Sequence, residues 1–288
     1  MTSFDVVARV RSITGQRRVG HAGTLDPAAI GVLPIAIGRA TPTLGSPVWD
    51  RKLYWADVRF GTATDTDDAE GQPVVTGSPA EITADRLTSA LSAFVGDIEQ
   101  RPPAYSAVQV DGQRAYAAAR RGSAPDLPAR PARVDAIRLT GWDGSVATML
   151  VQCGSGTYIR SIARDLGPVL GCPAHLARLV RLRVGPFTIE DALDLRDLAL
   201  LAEQGAWERI LAPADLVFAT LPAVVAADER ELSYAQGREW PATNGGVDVG
   251  RATRIYTAGG RYLGLGQRTP LGRWQPIRGL PRVTAAEA

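Results

Sequence analysis

Gly20-His21-Ala22-Gly23-Thr24-Leu25-Asp26-Pro27-Ala28-Ala29-Ile30-Gly31-Val32-Leu33-Pro34 is a loop that sets a carboxylate five positions after an imidazole and then runs into an apolar stretch. Gly20, Gly23 and Gly31 open backbone angles closed to other residues, and Pro27 fixes the chain just after Asp26. A loop so constrained, mounted on a buried strand, is a common way to hold a reactive side chain still. Read alone, the same residues also suit an Asx-type turn in which Asp26 only caps backbone donors.

Outward from this loop the periodicity changes repeatedly. Residues 4–14 place Val6, Val7, Val10 and Ile13 on one stripe, which predicts a helix with Ser3 as N-cap and Gly15 as stop. Gly31–Ile37 reads as one buried strand, and Arg51–Phe60 alternates with period two, Lys52, Tyr54, Ala56 and Val58 sharing a face. Thr83 caps a helix carrying Leu87, Leu91 and Phe94, and a short helix is expected around Tyr116–Arg120. Strands follow near Val134–Leu139 and Val146–Gln152, then a helix over Tyr158–Leu166 that buries Ile159, Ile162, Ala163 and Leu166. His175–Leu182 reads as a further short, basic helix. Strands and helices without regular βα alternation predict an α+β fold. Beyond Pro213 the texture shifts to short strand-like runs and turns (Thr253–Tyr256, Tyr262–Leu265, Trp274–Ile277), which predicts a small β-rich domain.

At 288 residues the chain accommodates one large domain and a small one, and 45% hydrophobic with 22% charged residues is ordinary for a globular protein. No apolar run approaches the ~20 residues that span a bilayer, and the N-terminal residues lack the layout of a signal peptide. Two distant cysteines, Cys153 and Cys172, point to a reducing, cytoplasmic setting. The net charge of +2 hides a segregation. Arg160, Arg164, Arg178, Arg181 and Arg183 face only Asp165 between residues 154 and 187, whereas residues 61–100 set Asp65, Asp67, Asp68, Glu70, Glu81, Asp85, Asp97 and Glu99 against Arg86 alone. Such segregation can give a nearly neutral molecule a basic face. Lys52 is the sole lysine.

Four clusters carry candidate chemistry. They are the loop with His21 and Asp26; Lys52-Leu53-Tyr54 leading to Gly61–Asp67; Arg101–Val108 with Gly112 and Arg114-Ala115-Tyr116; and Gly154–Gly167 followed by His175–Arg181. The acidic run at Asp65–Glu70 fails as a calcium loop, because Glu70 stands where glycine is required. Zinc spacing, a phosphate-binding G-x-x-x-x-G-K-[ST] and a G-x-S-x-G elbow are all missing from the sequence.

Together, in order over residues 2–190, the clusters closely resemble the bacterial tRNA pseudouridine-55 synthase family (TruB). Gly20–Pro27, Lys52-x-Tyr54 and Gly156-Thr157-Tyr158-Ile159-Arg160 are the most specific pieces. The resemblance implies a mixed, largely antiparallel-sheet catalytic domain over 1–215 with a thumb-like insertion at about 101–132, and a PUA-like RNA-binding domain over 222–288. It implies cofactor-free, metal-free isomerisation of uridine 55 in the T-loop of tRNA, replacing the N1–C1′ bond with a C5–C1′ bond. Asp26 matches the attacking carboxylate. Arg160 matches the arginine expected to pair with it and depress its pKa by ~1–3 units. Tyr54 matches the aromatic that stacks on the base and a candidate for moving the C5 proton. His21 matches the contact to the flipped nucleotide, Tyr158 and Leu179 the pocket wall, and Lys52 a further substrate contact. Arg114, Arg120, Arg121, Arg130, Arg133 and Arg181 are expected on the RNA backbone. The implied partner is the tRNA T-arm, the expected state a monomer away from membranes.

The sequence also departs from the family pattern. Members normally carry a Lys-Pro-x-Gly strand before the Thr-Ser that here is Thr2-Ser3. Gln109 stands where lysine is usual and Val180 where arginine is usual, which weakens an RNA contact without touching the chemistry. Two alternatives follow, a catalytically impaired tRNA-folding helper and an RNA-guided, dyskerin-like modifier. The intact Asp26, Tyr54 and Arg160 set argues against the first and the thumb segment against the second.

Overall fold

The computed structural model describes residues 1–106, 109–110, 113–114, 127–227, 230–242 and 246–279. Arg120, Arg121 and the helix expected around Tyr116–Arg120 lie outside the described residues, as do the side chains of Gln109 and Arg114. Two compact units divide the chain, one of residues 1–6, 21–34 and 49–193, the other of residues 7–20, 35–48 and 194–288.

In chain order the first elements are helix α1 (Ser3–Thr14) and strands β1 (Val19–His21), β2 (Ile30–Gly31), β3 (Ile35–Ile37), β4 (Lys52–Phe60), β5 (Thr62–Thr64) and β6 (Pro73–Thr76). Helix α2 (Ala84–Leu91) and strands β7 (Gly96–Gln100), β8 (Gln109–Val110), β9 (Gln113–Arg114), β10 (Arg130–Trp142) and β11 (Val146–Cys153) follow. Helix α3 (Ile159–Leu170) and strands β12 (Ala174–Val184) and β13 (Phe187–Thr188) complete the series to residue 193.

The sheet of the first unit runs β13-β12-β4-β11-β10-β7, with the short β2 added to β12. Every pair along this path is antiparallel, and β2 joins β12 in parallel. The fold is therefore α+β with a mixed, largely antiparallel sheet. The period-two face of β4 buries Tyr54, Ala56, Val58 and Phe60 in one core with Ile159, Ile162, Ala163 and Leu166 of α3. Each large aliphatic so buried contributes about 1.5–3 kcal/mol. Gly171 (φ 72°) closes α3 in the left-handed conformation that glycine adopts without a Cβ penalty.

Three expectations are corrected. His175–Leu182 is not a helix but the middle of β12, paired along β4 from Ala174↔Phe60 to Val184↔Lys52. Leucine, alanine and arginine favour a helix locally, yet the open edge of β4 supplies a hydrogen-bond ladder that outweighs this. Register shifts between Leu176 and Arg178 and between Arg181 and Arg183 erase the period-two signature. Gly31–Ile37 is two short strands, β2 and β3, rather than one. Ser3 does not cap α1. Thr2 does, its hydroxyl accepting from Asp5 N–H at 3.1 Å while its own N–H donates to the Asp5 carboxylate at 2.8 Å.

In the second unit, helices α4 (Leu195–Glu203) and α5 (Glu231–Ala235) accompany strands β14 (Ala223–Val225), β15 (Trp240–Pro241), β16 (Ala252–Tyr256), β17 (Tyr262–Arg268) and β18 (Arg273–Gly279). These strands form a five-stranded sheet in the order β14-β16-β17-β18-β15. Tyr234, Trp240, Ile255, Leu263 and Trp274 fill its core, and the Tyr234 hydroxyl donates to the Leu265 carbonyl at 2.9 Å.

Candidate active site

The Asp26 loop is held from both ends. Leu25 N–H donates to Ser3 Oγ at 2.8 Å, and Ser3 Oγ donates back to the Leu25 carbonyl at 3.2 Å. Arg181 is fully buried beneath the loop. Its Nε donates to the Val32 carbonyl at 2.8 Å, Nη1 to Thr24 at 3.2 Å and Nη2 to Gly23 at 3.0 Å. Gly31 (φ 109°) lets β2 lie against β12, where a Cβ would stand 2.3 Å from the Arg181 carbonyl oxygen. Gly23 adopts φ 85°, a left-handed backbone that favours glycine.

Held in this way, the Asp26 carboxylate meets Arg160 Nε at 2.8 Å. Arg160 sits in the first turn of α3 and is 95% removed from solvent, while the Asp26 side chain keeps 38% exposure and so stays reachable. The rest of the guanidinium is engaged too. Nη1 lies 3.5 Å from the Asp68 carboxylate and donates to the Thr66 carbonyl at 3.3 Å, and Nη2 donates to the Tyr105 carbonyl at 3.0 Å. The bidentate-capable fork suits this many acceptors better than an ammonium.

Asp26, Arg160 and Leu179 line one open cavity of about 30 Å³ together with Asp68, Leu176 and Arg178. Burial pushes the Asp26 carboxyl above the usual carboxylate range, Arg160 pulls it down, and the neighbouring Asp68 adds to the rise. The expected pairing with Arg160 is present, but the expected depression is not, because desolvation outweighs the pair. Tyr54 is buried beside this carboxylate, and burial pushes its phenol up to about 12, so it enters any reaction protonated. His21 is held below its ordinary value, first by burial and then by the Arg181 charge, and is neutral at pH 7. Tyr158 caps α3, its N–H donating to Gln100 Oε1 at 2.7 Å while Gln100 Nε2 donates to its carbonyl at 3.0 Å.

Lys52 is buried and does not line the cavity. Its ammonium donates to Ser155 Oγ at 2.7 Å, and Ser155 donates to Asp50 at 2.8 Å. Arg181, expected on the RNA backbone, is corrected. At 0% exposure it cannot reach a phosphate, and its donors face the loop. Arg133 is exposed and shared between Asp97 and Asp135, both at 3.2 Å.

Several participating residues carry no role that the sequence assigns. Asp67 and Asp68 belong to an acidic run that looks like a solvated turn, yet Asp67 meets Arg164 at 3.0 Å and Asp68 meets Arg160. Asp67 adopts φ 62°, a left-handed turn conformation that places the two carboxylates on these two arginines. Arg178, on the exposed side of β12, stacks over Trp55 with 5.2 Å from Cζ to the ring centroid, at the cavity rim.

A buried guanidinium pairing a partly exposed carboxylate in an open cavity, near a buried tyrosine, is a candidate centre for carboxylate chemistry. Residues 11–159 match the model of the TruB family pseudouridylate synthase N-terminal domain, and residues 160–219 that of the tRNA pseudouridylate synthase B C-terminal domain. The chain belongs to the TruB family of pseudouridylate synthases. Proteins named tRNA pseudouridine synthase B resemble it over nearly their full length. That of Dehalococcoides mccartyi is 39% identical over 278 residues, covering 96% of this chain and 92% of its own. That of Roseobacter denitrificans is 40% identical over 279 residues, covering 96% and 91%. Among solved structures, one of an H/ACA RNP bound to a substrate RNA containing 2′-deoxyuridine superposes with TM-score 0.73 at 23% identity, over 98% of this chain and 82% of that one. A Cbf5-Nop10-Gar1 complex gives 0.72 at 24%, over 98% and 84%. These two likenesses establish the shared fold.

Proposed function

We propose that the chain isomerises uridine 55 in the T-loop of tRNA to pseudouridine without a cofactor. The observation that carries this reading is the Asp26–Arg160 pair at 2.8 Å in an open cavity, in a chain similar over nearly its whole length to tRNA pseudouridine synthases. The base is flipped out of its stack at a cost of a few kcal/mol. Ionised Asp26 attacks the flipped nucleoside, the N1–C1′ bond breaks, C5 bonds to C1′, the bond to Asp26 is released so that the carboxylate is regenerated, and the proton lost from C5 is balanced by one that N1 takes from solvent. Tyr54 stacks on the uracil, and His21, Tyr158, Leu179 and Lys52 shape or support the pocket. Residues 1–215 form the catalytic domain with the thumb at about 101–132, and residues 222–288 a PUA-like RNA-binding domain. The enzyme works as a cytoplasmic monomer on the T-arm.

An unmodified tRNA transcript incubated with the protein is expected to yield pseudouridine at position 55 and no other position. Binding without product overturns the reading and leaves a tRNA-folding helper, for which no structural observation speaks. Arg178 takes the phosphate-facing place that Arg181 leaves. Cation–π contact with Trp55 holds its guanidinium at the cavity rim with 73% of the side chain exposed. Arg178→Ala is expected to flatten the salt dependence of tRNA affinity by about 0.7–0.9 in log K against log [salt], with kcat unchanged. An unaltered slope removes Arg178 from the interface.

A further inference from the structure

Arg181 is a buried cation that donates to three main-chain carbonyls and also hydrogen-bonds the Tyr54 side chain. Gly23 and Thr24 precede Asp26 and Val32 follows it, so one guanidinium ties the two ends of the loop that carries the carboxylate. The backbone adds to the tie, Val32 N–H donating to the Arg181 carbonyl at 2.9 Å. Arg181 also stands opposite Gly31 on β2 and opposite Tyr54 on β4. Arg181 thus joins the loop to the strand of the aromatic. Burying a cation costs several kcal/mol of desolvation in general, and simple packing would be served by an apolar side chain. A guanidinium has rigidly diverging donors that reach three separated carbonyls, and it remains charged where an ammonium can lose its proton.

We propose that Arg181 is a positioning residue of the reaction. It fixes the loop that aims Asp26 and supplies a positive charge beneath it, so it governs turnover rather than tRNA binding. The proposal rests on the reading of Asp26 under Proposed function. The groups facing Asp26 are Arg160 and Tyr158 from α3 and its cap, Asp68 from the turn after β5, Tyr54 from β4 and Arg181 from β12. Arg160 and Arg181 are the cations among them, and each favours the ionised carboxylate.

Arg181→Lys and Arg181→Met separate geometry from charge. In the full chain, with unmodified tRNA transcript, both are expected to lose about a hundredfold in kcat, the scale of a 1 Å misplacement. KM is expected to stay within about threefold in both. The acid limb of kcat/KM should move to higher pH in Arg181→Met and remain in place in Arg181→Lys, because removing a nearby cation raises a carboxyl pKa. Thermal unfolding, read alongside, sets an assay temperature well below each variant's Tm. If both variants keep wild-type kcat there, Arg181 is a stability residue only and the proposal fails. A raised KM at unchanged kcat overturns it equally, by making Arg181 an RNA contact. An acid limb that stays in place in the Met variant overturns the role of the charge. Should the Met variant fail to fold, the Lys variant alone decides the geometric role through kcat. Wild-type turnover on the same transcript tests the underlying reading: no product from wild type sinks that reading, whereas product with undiminished variants sinks only the role of Arg181.

Discussion

Asp26→Asn is expected to lower product formation by about four orders of magnitude or more, about 5.5 kcal/mol of transition-state stabilisation, while tRNA binding stays near wild type. The substitution is nearly isosteric, and the backbone contacts that hold the loop around residue 26 do not use its carboxylate. Ser3 grips the backbone of Leu25, and Arg181 grips Gly23, Thr24 and Val32. Arg160 keeps Asp68 and the Thr66 and Tyr105 carbonyls, so the cavity retains its shape. What disappears is a nucleophilic oxygen that an amide cannot supply. Retained turnover removes Asp26 from the attacking role. Stability gives an independent check with the opposite sign. Burial raises the Asp26 pKa above its unfolded value, so its protonated form contributes stability that is present below the unfolded pKa and lost as pH rises through the folded one. At pH 7 the ionised carboxylate therefore weakens the fold, and the Asn variant should unfold at the same temperature as wild type or higher. In the wild type the acid limb of kcat/KM should lie above the ordinary aspartate value of 3.8.

Parts of this site are legible in the sequence because local chemistry and tertiary structure agree there. Gly23, Gly31 and Pro27 announce a constrained loop, and the structure uses Gly31 where no Cβ fits. The stripe Ile159, Ile162, Ala163, Leu166 announces α3, which in turn places Arg160. Legibility fails where a neighbour overrides local preference. Residues 174–184 carry helix-forming side chains and two register shifts, and only the edge of β4 makes them a strand. The strand sends Arg178 outward and Arg181 inward, a distinction that a basic helix does not make. Asp67 and Asp68 were unreadable for a different reason. An acidic turn in solvent and an acidic turn braced on buried arginines have the same composition. Ser3 looks like a cap because Thr2 beside it is equally suited, and the choice is made by Leu25, twenty-two residues away.

Arg160→Met is expected to lower kcat/KM by about three orders of magnitude, and Arg160→Lys by about two, on the scale that loss of a preorganised charged donor carries. The methionine fills the space but leaves two carboxylates, Asp26 and Asp68, without the cation they share. Two neighbouring carboxylates cannot both ionise cheaply, so one takes up a proton. With burial and Asp68 both already raising the Asp26 pKa, removing its largest opposing influence moves the acid limb of kcat/KM upward. Lysine restores a charge, but its compact ammonium cannot hold Asp26, Asp68 and the carbonyls of Thr66 and Tyr105 together. Geometry then suffers although the charge remains. Asp68→Asn, which spares the Asp26–Arg160 contact, should cost less than either and shift the acid limb downward by removing a like charge. The size of the acid-limb shift also ranks the two arginines. Arg160 touches the carboxylate at 2.8 Å, whereas Arg181 acts on it from beneath the loop, so Arg160→Met must move the limb further than Arg181→Met. The reverse order would mean that the charge under the loop, and not the pair in the cavity, keeps Asp26 ionised.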